Sequence, residues 1–561
     1  MAVVPTPHQN AEKPTFTELF APKLVTVLRE GYHLRDLGAD AIAGLTVAIV
    51  ALPLSMAIAI GSGVTPDRGL YTAIVGGFLI SLLSGSRFQI GGPAGAFIGL
   101  IAVIVERHGY DGLVLATAMA GAIMIVIGLL RLGTYIKYIP FPAIVGFTAG
   151  IAVIIASTQI KDFLGLDLAK EPAEFLPKLR ALWGAVSSLQ PATLALSALS
   201  VAVIVIVRRL RPHWPSFLIA VVIAAAVNAV LPLGAATIGS QFGGIPSSLP
   251  SPALPDFSLA KIQAVLPDAI AIALLGSIES LLSAVVADGM TGRRHRSNCE
   301  LVAQGVGNIG SVLFGGICVT GTIARTATNI RAGSRGPISG MLHSAYLLLF
   351  IMIAAPLVSY IPLAALAAVL LVVAWNMAEK DEFWSLLRGS RSDAAVLLAT
   401  FLLTVFYDLV TGIAVGVILG SLVFLHRMAE AVEIKGGPHL VAEDEADSEG
   451  ARAPYDPAQS AREDVMVYRI SGAFFFGAVA RVNAVLDRIG THPRVLVLDF
   501  SEVPLIDSTA AHSLTMFVAK LRRGGSRVEF AGVRPNVRNV LTASGLTEPD
   551  VVYSASAASA R

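Results

Sequence analysis

From Asp40 to Met428, apolar runs alternate with short polar connections, at 40–62, 68–84, 93–105, 113–130, 139–157, 193–207, 215–232, 267–287, 299–314, 322–330, 337–356, 359–377, 394–407 and 409–425. A helix needs about 20 apolar residues to cross a bilayer, so most of these runs predict membrane spans. The runs that start at Pro93 and Thr322 are too short for that and predict half-helices, which are tolerated where their ends are buried in protein. Residues 394–424 are almost continuous, broken only by Asp408, and are read as two spans. With the amino terminus inside, the connections facing the cytoplasm carry fourteen Lys and Arg residues, against seven on the other side. That asymmetry follows the positive-inside rule. Fourteen segments divide as seven plus seven, and an odd count makes the second copy enter the membrane from the opposite face. The expected fold is therefore an α-helical polytopic membrane protein built as an inverted repeat of seven and seven segments.

The repeat is visible in the residues. Slid by 230 positions, 83–97 (LSGSRFQIGGPAGAF) lies over 313–327 (LFGGICVTGTIARTA). Ala73/Ala303, Gly77/Gly307, Ser81/Ser311, Leu83/Leu313, Gly85/Gly315, Gly91/Gly321 and Ala94/Ala324 are identical pairs. In each copy an apolar helix stops at glycine, a short extended run follows, and a new apolar segment begins. Paired breaks of this kind mark substrate sites in transporters. The amino end of a half-helix leaves N–H groups unpaired and carries partial positive charge, so two such ends predict a site for an anion.

Only 14% of the residues are charged, against about 25% in soluble domains, and mean hydropathy is +0.72. The net charge of +2 favours no nucleic-acid partner. Cys299 and Cys318 lie in apolar surroundings and read as packing residues. The histidines His33, His108, His213, His295 and His343 lack metal-ligand spacing and read as ordinary polar residues, so neither a metal nor a cofactor is expected. Residues 1–39 lack a signal-peptide pattern and are expected to be a cytoplasmic segment before the transport domain of 40–428. Residues 429–463, with EDEADSE among Gly, Pro and Ala, read as a linker. From 464 to 557 strand-like VMVYRI, RVLVLDF and SRVEFAG alternate with helical 478–489, 508–523 and 535–543. That alternation predicts a compact α/β domain.

Five long motifs carry a family resemblance. They are DAIAGLTVAIVALPLSMAIAIGSGVTPDRGLYTAIVGG (40–77), GSRFQIGGPAGAF (85–97), TQIKDFLGL (158–166), LLGSIESLLSAVVADGMTGRRHRSNCELVAQGVGNI (274–309) and GGICVTGTIARTATNIRAGSRGPIS (315–339). The chain resembles the SulP sulfate-permease-type anion transporters, whose membrane part is followed by a STAS domain. IESLLSAVVADGMTG and LLVVAWNM are similar to the C4-dicarboxylate members. The resemblance implies a secondary transporter for a small anion such as succinate, sulfate or bicarbonate, with spans 5–7 and 12–14 as scaffold and as a homodimer surface together with the STAS domain. It also implies that Ser55 and Ile58 line the site, and that Thr-Ile-Ala-Arg-Thr is the site motif, with Ala324 where many members have serine.

The candidate binding residues are thus Ser55, Ile58, Gly92, Pro93, Ala94, Thr322, Ile323, Ala324 and Arg325. Pro93 is expected in the first helical turn, where its missing N–H costs nothing. Arg325 is the basic residue inside a short span, and a charge at that depth should face a cavity or a partner. Glu279, mid-span in AIALLGSIESLLSAVV, is a candidate for coupling to a proton or to sodium. In the soluble domain, Ser508 and Thr509 follow Ile506-Asp507 in a loop resembling one phosphorylated in anti-sigma-factor antagonists; the plainer reading is a helix cap. A cytoplasmic protein partner could dock on that domain. The localisation expected is a bacterial inner membrane, with both termini cytoplasmic. An anion channel, in which the same positive site conducts, and a sensor read through the STAS domain stand as alternatives.

Overall fold

The computed structural model describes residues 15–168, 171–212, 214–231, 233–436, 465–479, 482 and 493–556. They fall into two compact units, divided between Val417 and Ile418.

Each of the fourteen apolar runs overlaps helix, the last, 409–425, extending past Val417. Eight helical segments among the described residues are long and apolar enough to cross a bilayer. Two short helices, α1 (Phe16–Phe20) and α2 (Lys23–Arg29), precede the long α3 (Leu34–Gly61). Next come α4 (Pro66–Tyr71), a π turn (Thr72–Gly76) and α5 (Gly77–Leu83). The two-residue strand β1 (Gly91–Gly92) leads through a 3-10 turn at Gly95–Phe97 into α6 (Ile98–Leu129). Gly109, at φ 68° and ψ −177°, bends α6 into two helical stretches, the feature that hydropathy registers as two runs. Glycine takes that backbone conformation without steric cost.

The chain continues through α7 (Phe141–Leu164), α8 (Phe175–Gly184), α9 (Pro191–Leu210), α10 (Ser216–Val230) and α11 (Ile238–Phe242). The second copy holds α12 (Leu259–Thr291), α13 (Ser297–Leu313), β2 (Thr320–Gly321), α14 (Ile323–Arg331) and α15 (Ile338–Val358). It ends with α16 (Leu363–Met377), α17 (Lys380–Arg388), α18 (Arg391–Phe406) and α19 (Leu409–Glu430). Asp408 separates α18 from α19 and accepts a hydrogen bond from the Thr411 amide at 2.8 Å.

Contacts sort these helices into two groups. α3, α5, α6, α12, α13, α14 and α15 pack around the two breaks, whereas α7, α9, α16 and α18 pack on one another. Inside the first group, α6 and α13 cross where Gly121 meets Gly305; a Cβ on Gly121 would lie 2.6 Å from the Gly305 carbonyl oxygen. Small residues permit such backbone approach where apolar burial gives no preference between lipid and protein. The amino-terminal helices brace this group: the Lys23 amide bonds Ser84 O at 2.8 Å and Arg296 Nη1 bonds Ala21 O at 2.6 Å.

The second unit contains a five-stranded sheet in the order β3 (Glu433–Gly436), β4 (Val465–Ser471), β5 (Val495–Glu502), β6 (Arg527–Ala531), β7 (Val552–Ser554). Its pairs are parallel except β3 with β4. α20 (Ser508–Arg523) and α21 (Pro535–Ala543) cover it, and Tyr468, Phe474, Phe500 and Phe530 are fully enclosed. The three strands read from sequence are β4, β5 and β6. Residues 433–436, read as the start of the linker, instead pair as an edge strand; four residues carry too short a pattern to be recognised. Residues 429 and 430, also read as linker, complete α19, while 437–463 and most of the helical run 478–489 lie outside the described residues.

Candidate functional site

The two breaks are hydrogen-bonded to each other. β1 and β2 pair antiparallel, with Gly91 opposite Gly321 and Gly92 opposite Thr320. The Thr322 amide adds a bond to Ile90 O at 3.0 Å. Exchange of the two copies leaves this register unchanged, because 91 and 321 are equivalent under the 230-residue shift, as are 90 with 320 and 92 with 322. Such a self-equivalent register is what a two-fold relation between the two copies gives when they meet on the axis.

Buried polar side chains hold the crossing in place. Asn308 takes both the amide and the carbonyl of Val319, at 3.0 and 2.8 Å. Ser280 Oγ meets Thr320 Oγ1 at 2.5 Å, and Gln89 Nε2 donates to Ser280 O at 3.1 Å. Thr326 Oγ1 accepts from the Ile90 amide at 3.1 Å. A Cβ at Gly321 would fall on the Gln89 amide, so this position must be glycine if Gln89 is to brace the site. Sequence reading passed over Gln89, Ser280, Asn308, Thr320 and Thr326. Their one signal was polar side chains at buried positions of apolar runs.

From this crossing the two helices depart. α14 starts directly at Ile323, with Thr322 as its extended N-cap. Its first amide with a helical partner is that of Thr326, on Thr322 O at 3.0 Å, which leaves the amides of Ile323, Ala324 and Arg325 as the open helix end. On the other side Pro93 and Ala94 are extended and helix begins at Gly95, so Pro93 is not in the first helical turn. The physical reason is the pairing of β1: it holds the chain extended, and a proline keeps the preceding Gly92 extended as well. Freed from the helix, the Pro93 carbonyl becomes an acceptor.

That acceptor is used by Arg325, which is 1% exposed. Its Nη2 donates to Ser55 Oγ at 3.1 Å and to Pro93 O at 3.3 Å. Its Nε and Nη1 have no partner. A Cβ at Gly92 would fall on Nη1, so this end of the guanidinium occupies the space a side chain at 92 would need. Arginine presents five N–H donors in a fixed fork, and here three of them are enclosed and unsatisfied. A buried cation without a counter-charge is costly. The arrangement can be completed by a small anion accepting from Nε and Nη1 beside the open ends of two helices.

The other candidates are distributed as follows. Ala94 and Thr322 are buried next to the crossing, Ile323 is half-buried, and Ala324 is exposed. Ile58 is buried in the apolar cluster that also contains Ala94 and Phe97, without polar contact. Glu279, 8% exposed on α12, makes neither a hydrogen bond nor an ion pair with Arg325. Asp288, at the end of α12, bonds His295 Nδ1 at 2.7 Å. Ser508 and Thr509 are exposed at the start of α20, where Asp507 Oδ1 accepts from the Ala510 amide at 2.8 Å and caps the helix. Among the described residues no cluster of His, Cys, Asp and Glu has the form of a metal site.

The profile of the Sulfate permease family matches residues 37–400, and that of the STAS domain matches 457–557. YvdB of Bacillus subtilis is 39% identical over 92% of this chain and 95% of its own length. The bicarbonate transporter BicA of Synechocystis is 32% identical over 89% of each chain. Among solved structures, the transmembrane domain of a cyanobacterial BicA superposes with a TM-score of 0.60 at 32% identity, covering 69% of this chain and 98% of that one. SLC26A9 has the same fold, with a TM-score of 0.79 at 17% identity across 98% of this chain and 96% of its own. A multi-pass helical membrane part with paired broken helices, followed by a sheet-containing carboxy-terminal domain, is what all of these observations describe: the chain belongs to the sulfate permease family and carries a STAS domain.

Proposed function

We propose that this protein is a secondary active transporter of small oxyanions, which bind between Arg325 and the amino ends of α14 and the helix that starts at Gly95. The observation that carries this reading is the unpaired, enclosed Nε and Nη1 of Arg325 beside those ends. Relatives named as a bicarbonate transporter and as a sodium-independent sulfate anion transporter support oxyanion chemistry. Sulfate, bicarbonate and C4-dicarboxylates are the candidate substrates. Alternating access would move the group around the breaks against α7, α9, α16 and α18, within a homodimer of a bacterial inner membrane whose two termini are cytoplasmic.

Glu279 is the candidate for the coupling ion, proton or sodium, because it is an unpaired carboxylate in the middle of α12. Reconstituted vesicles test the reading. Labelled sulfate, succinate or bicarbonate should accumulate uphill, saturably, when an inward pH gradient is imposed. Purely downhill, electrogenic flux would instead identify a channel. Glu279→Gln should still exchange anion across the membrane yet lose gradient-driven accumulation. Should accumulation persist, Glu279 is structural; should it depend on external sodium and fail in potassium or choline, sodium is the coupling ion.

A further inference from the structure

At the carboxy-terminal end of α3 lies a cavity of about 380 Å³. Its walls include the apolar side chains of Ile60, Val64, Val105 and Phe242, and Arg68 and Tyr110 form its polar side. Ile60 stands five residues beyond Ser55 on α3, about 7.5 Å along the helix axis, and the cavity shares no lining residue with the Arg325 site. In the orientation proposed above, this end of α3 faces away from the cytoplasm.

Arg68 is half-buried in this wall and donates from Nη1 to Gly315 O at 3.2 Å. Its guanidinium carbon stands 3.3 Å from the centre of the Tyr110 ring, and Tyr110 Oη in turn donates to Gly316 O at 2.8 Å. The ring face attracts the cation and helps to hold it in a partly dry position. Among the described residues Arg68 forms no ion pair with a carboxylate. Arginine presents five N–H donors in a fork that matches a carboxylate, and Gly315 takes one of them. Sites for small ligands have this build: about 300–1,000 Å³, mostly apolar, with a few fixed polar groups.

The walls select the ligand. An inorganic oxyanion would lose water against four apolar side chains and gain the donors of a single cation, an unfavourable exchange. A carboxylate with an apolar body suits both sides of the cavity. We propose that this cavity binds a small organic carboxylate, its oxygens on Arg68 and its apolar body against Ile60, Val64, Val105 and Phe242, independently of the Arg325 site. The cavity also joins elements of different groups. Ile60 stands on α3, and Val105 and Tyr110 on α6, all in the group around the breaks. Phe242 ends α11, which is bonded to the chain where α16 of the other group begins. There the Gly239 and Ile238 amides donate to Ser359 O and Ile361 O, and the Leu363 amide donates to Ala236 O, each at 2.9 Å. A ligand that fills the space between α3, α6 and α11 fixes their spacing. Resting on the alternating-access reading above, the bound carboxylate therefore slows transport without occupying the substrate site.

The experiment uses purified full-length Arg325→Ala protein, in which the central site is disabled, with benzoate as probe and calorimetry as readout. Benzoate should bind, and benzamide, of the same shape without the charge, should bind at least tenfold more weakly. Adding Arg68→Gln or Val105→Phe, which remove the cation or fill the cavity, should each weaken benzoate at least tenfold. Absence of benzoate binding, equal binding of benzamide, or binding that survives both added substitutions would overturn the proposal. If a double variant fails to fold, photolabelling of the Arg325→Ala protein with 4-azidobenzoate decides: label within 60–68, within 105–110 or at 242 supports the site, and label confined elsewhere defeats it. Sulfate exchange in wild-type vesicles reads the consequence. Benzoate on the outer side should lower the maximal rate and leave the KM for sulfate unchanged, and Arg68→Gln should exchange sulfate normally while losing that inhibition. A raised KM with an unchanged maximal rate would put benzoate in the substrate site and defeat the regulatory role. Vesicles without any sulfate exchange would sink the transport reading, and calorimetry would still decide this site.

Discussion

The first break, Ile90–Gly95, and the second, Thr320–Arg325, hold equivalent places in the two halves, yet one of them alone carries charge. Position by position the shift of 230 pairs Ile90 with Thr320, Gly92 with Thr322, Pro93 with Ile323 and Gly95 with Arg325. The first copy holds what lets backbone come close: glycines, and a proline before the helix whose carbonyl accepts from Arg325. The second holds hydroxyls and one guanidinium. Duplicated backbone with divided chemistry solves an electrostatic problem. Arginine in both copies would set two cations against each other in the proposed anion site whenever it emptied, a state that burial makes costly. One arginine, resting on the glycine of the other copy, gives attraction without that repulsion.

Substitutions can break or sharpen this contrast. Arg325→Ala removes the only charge and should weaken anion binding by about 100-fold or more, since interactions of a buried charged donor are worth about 1.5–3 kcal/mol each. Calorimetry would measure it, and the melting temperature should barely change; binding at wild-type strength would mean the site is elsewhere. Gly92→Ala comes next. Its Cβ falls on Arg325 Nη1, and overpacking of about 1–3 kcal/mol should displace the guanidinium and lower affinity about tenfold.

Gly321→Ala is the informative counterpart, because its Cβ falls on Gln89 and not on Arg325. It should lower the melting temperature more than it lowers affinity. Equal effects of the two alanines on binding would erase the division between copies. Smallest is Ser55→Ala, which removes one of the two bonds to Nη2. Arg325 keeps the Pro93 carbonyl, so a loss of about 1 kcal/mol, or roughly fivefold in affinity, is expected. No loss at all would show that the serine merely fills space.

Much of this site could be read in the chain before its fold was seen. Short apolar runs announced the broken helices, the repeated glycines located them, and Arg325 stood out as a cation within an apolar run. Other parts were hidden for physical reasons. A strand of two residues has no periodicity, so the direct pairing of the breaks left no trace in the pattern. Ser55 meets Arg325 across 270 positions of sequence; family resemblance implied that Ser55 lines the site, but neither it nor local pattern pointed to this contact. The buried braces at Gln89, Asn308 and Thr326 look like stray polar residues until their acceptors are known. Pro93 was placed in the helix because proline favours a first turn, whereas strand pairing overrode that local preference. His343 read as an ordinary polar residue because nothing in its neighbours along the chain reveals that it is enclosed.

The crossing of β1 and β2 also constrains how such a chain can change over generations. Its register is shared between two segments far apart in sequence, and each is tied to its partner by backbone bonds that any residue can make. Side chains differ between the copies at 90/320 and 92/322, while 91 and 321 are glycine in both. Lengths cannot vary in the same way. Loss or gain of one residue between Phe88 and Gly92 would slide the ladder, turn Gly92 away from the guanidinium and leave buried amides without acceptors, unless a compensating change arose in the other half at the same time. Insertions and deletions should therefore be barred from these two short stretches long after their sequences have ceased to look alike, leaving spacing, and not identity, as the lasting mark of the ancient duplication.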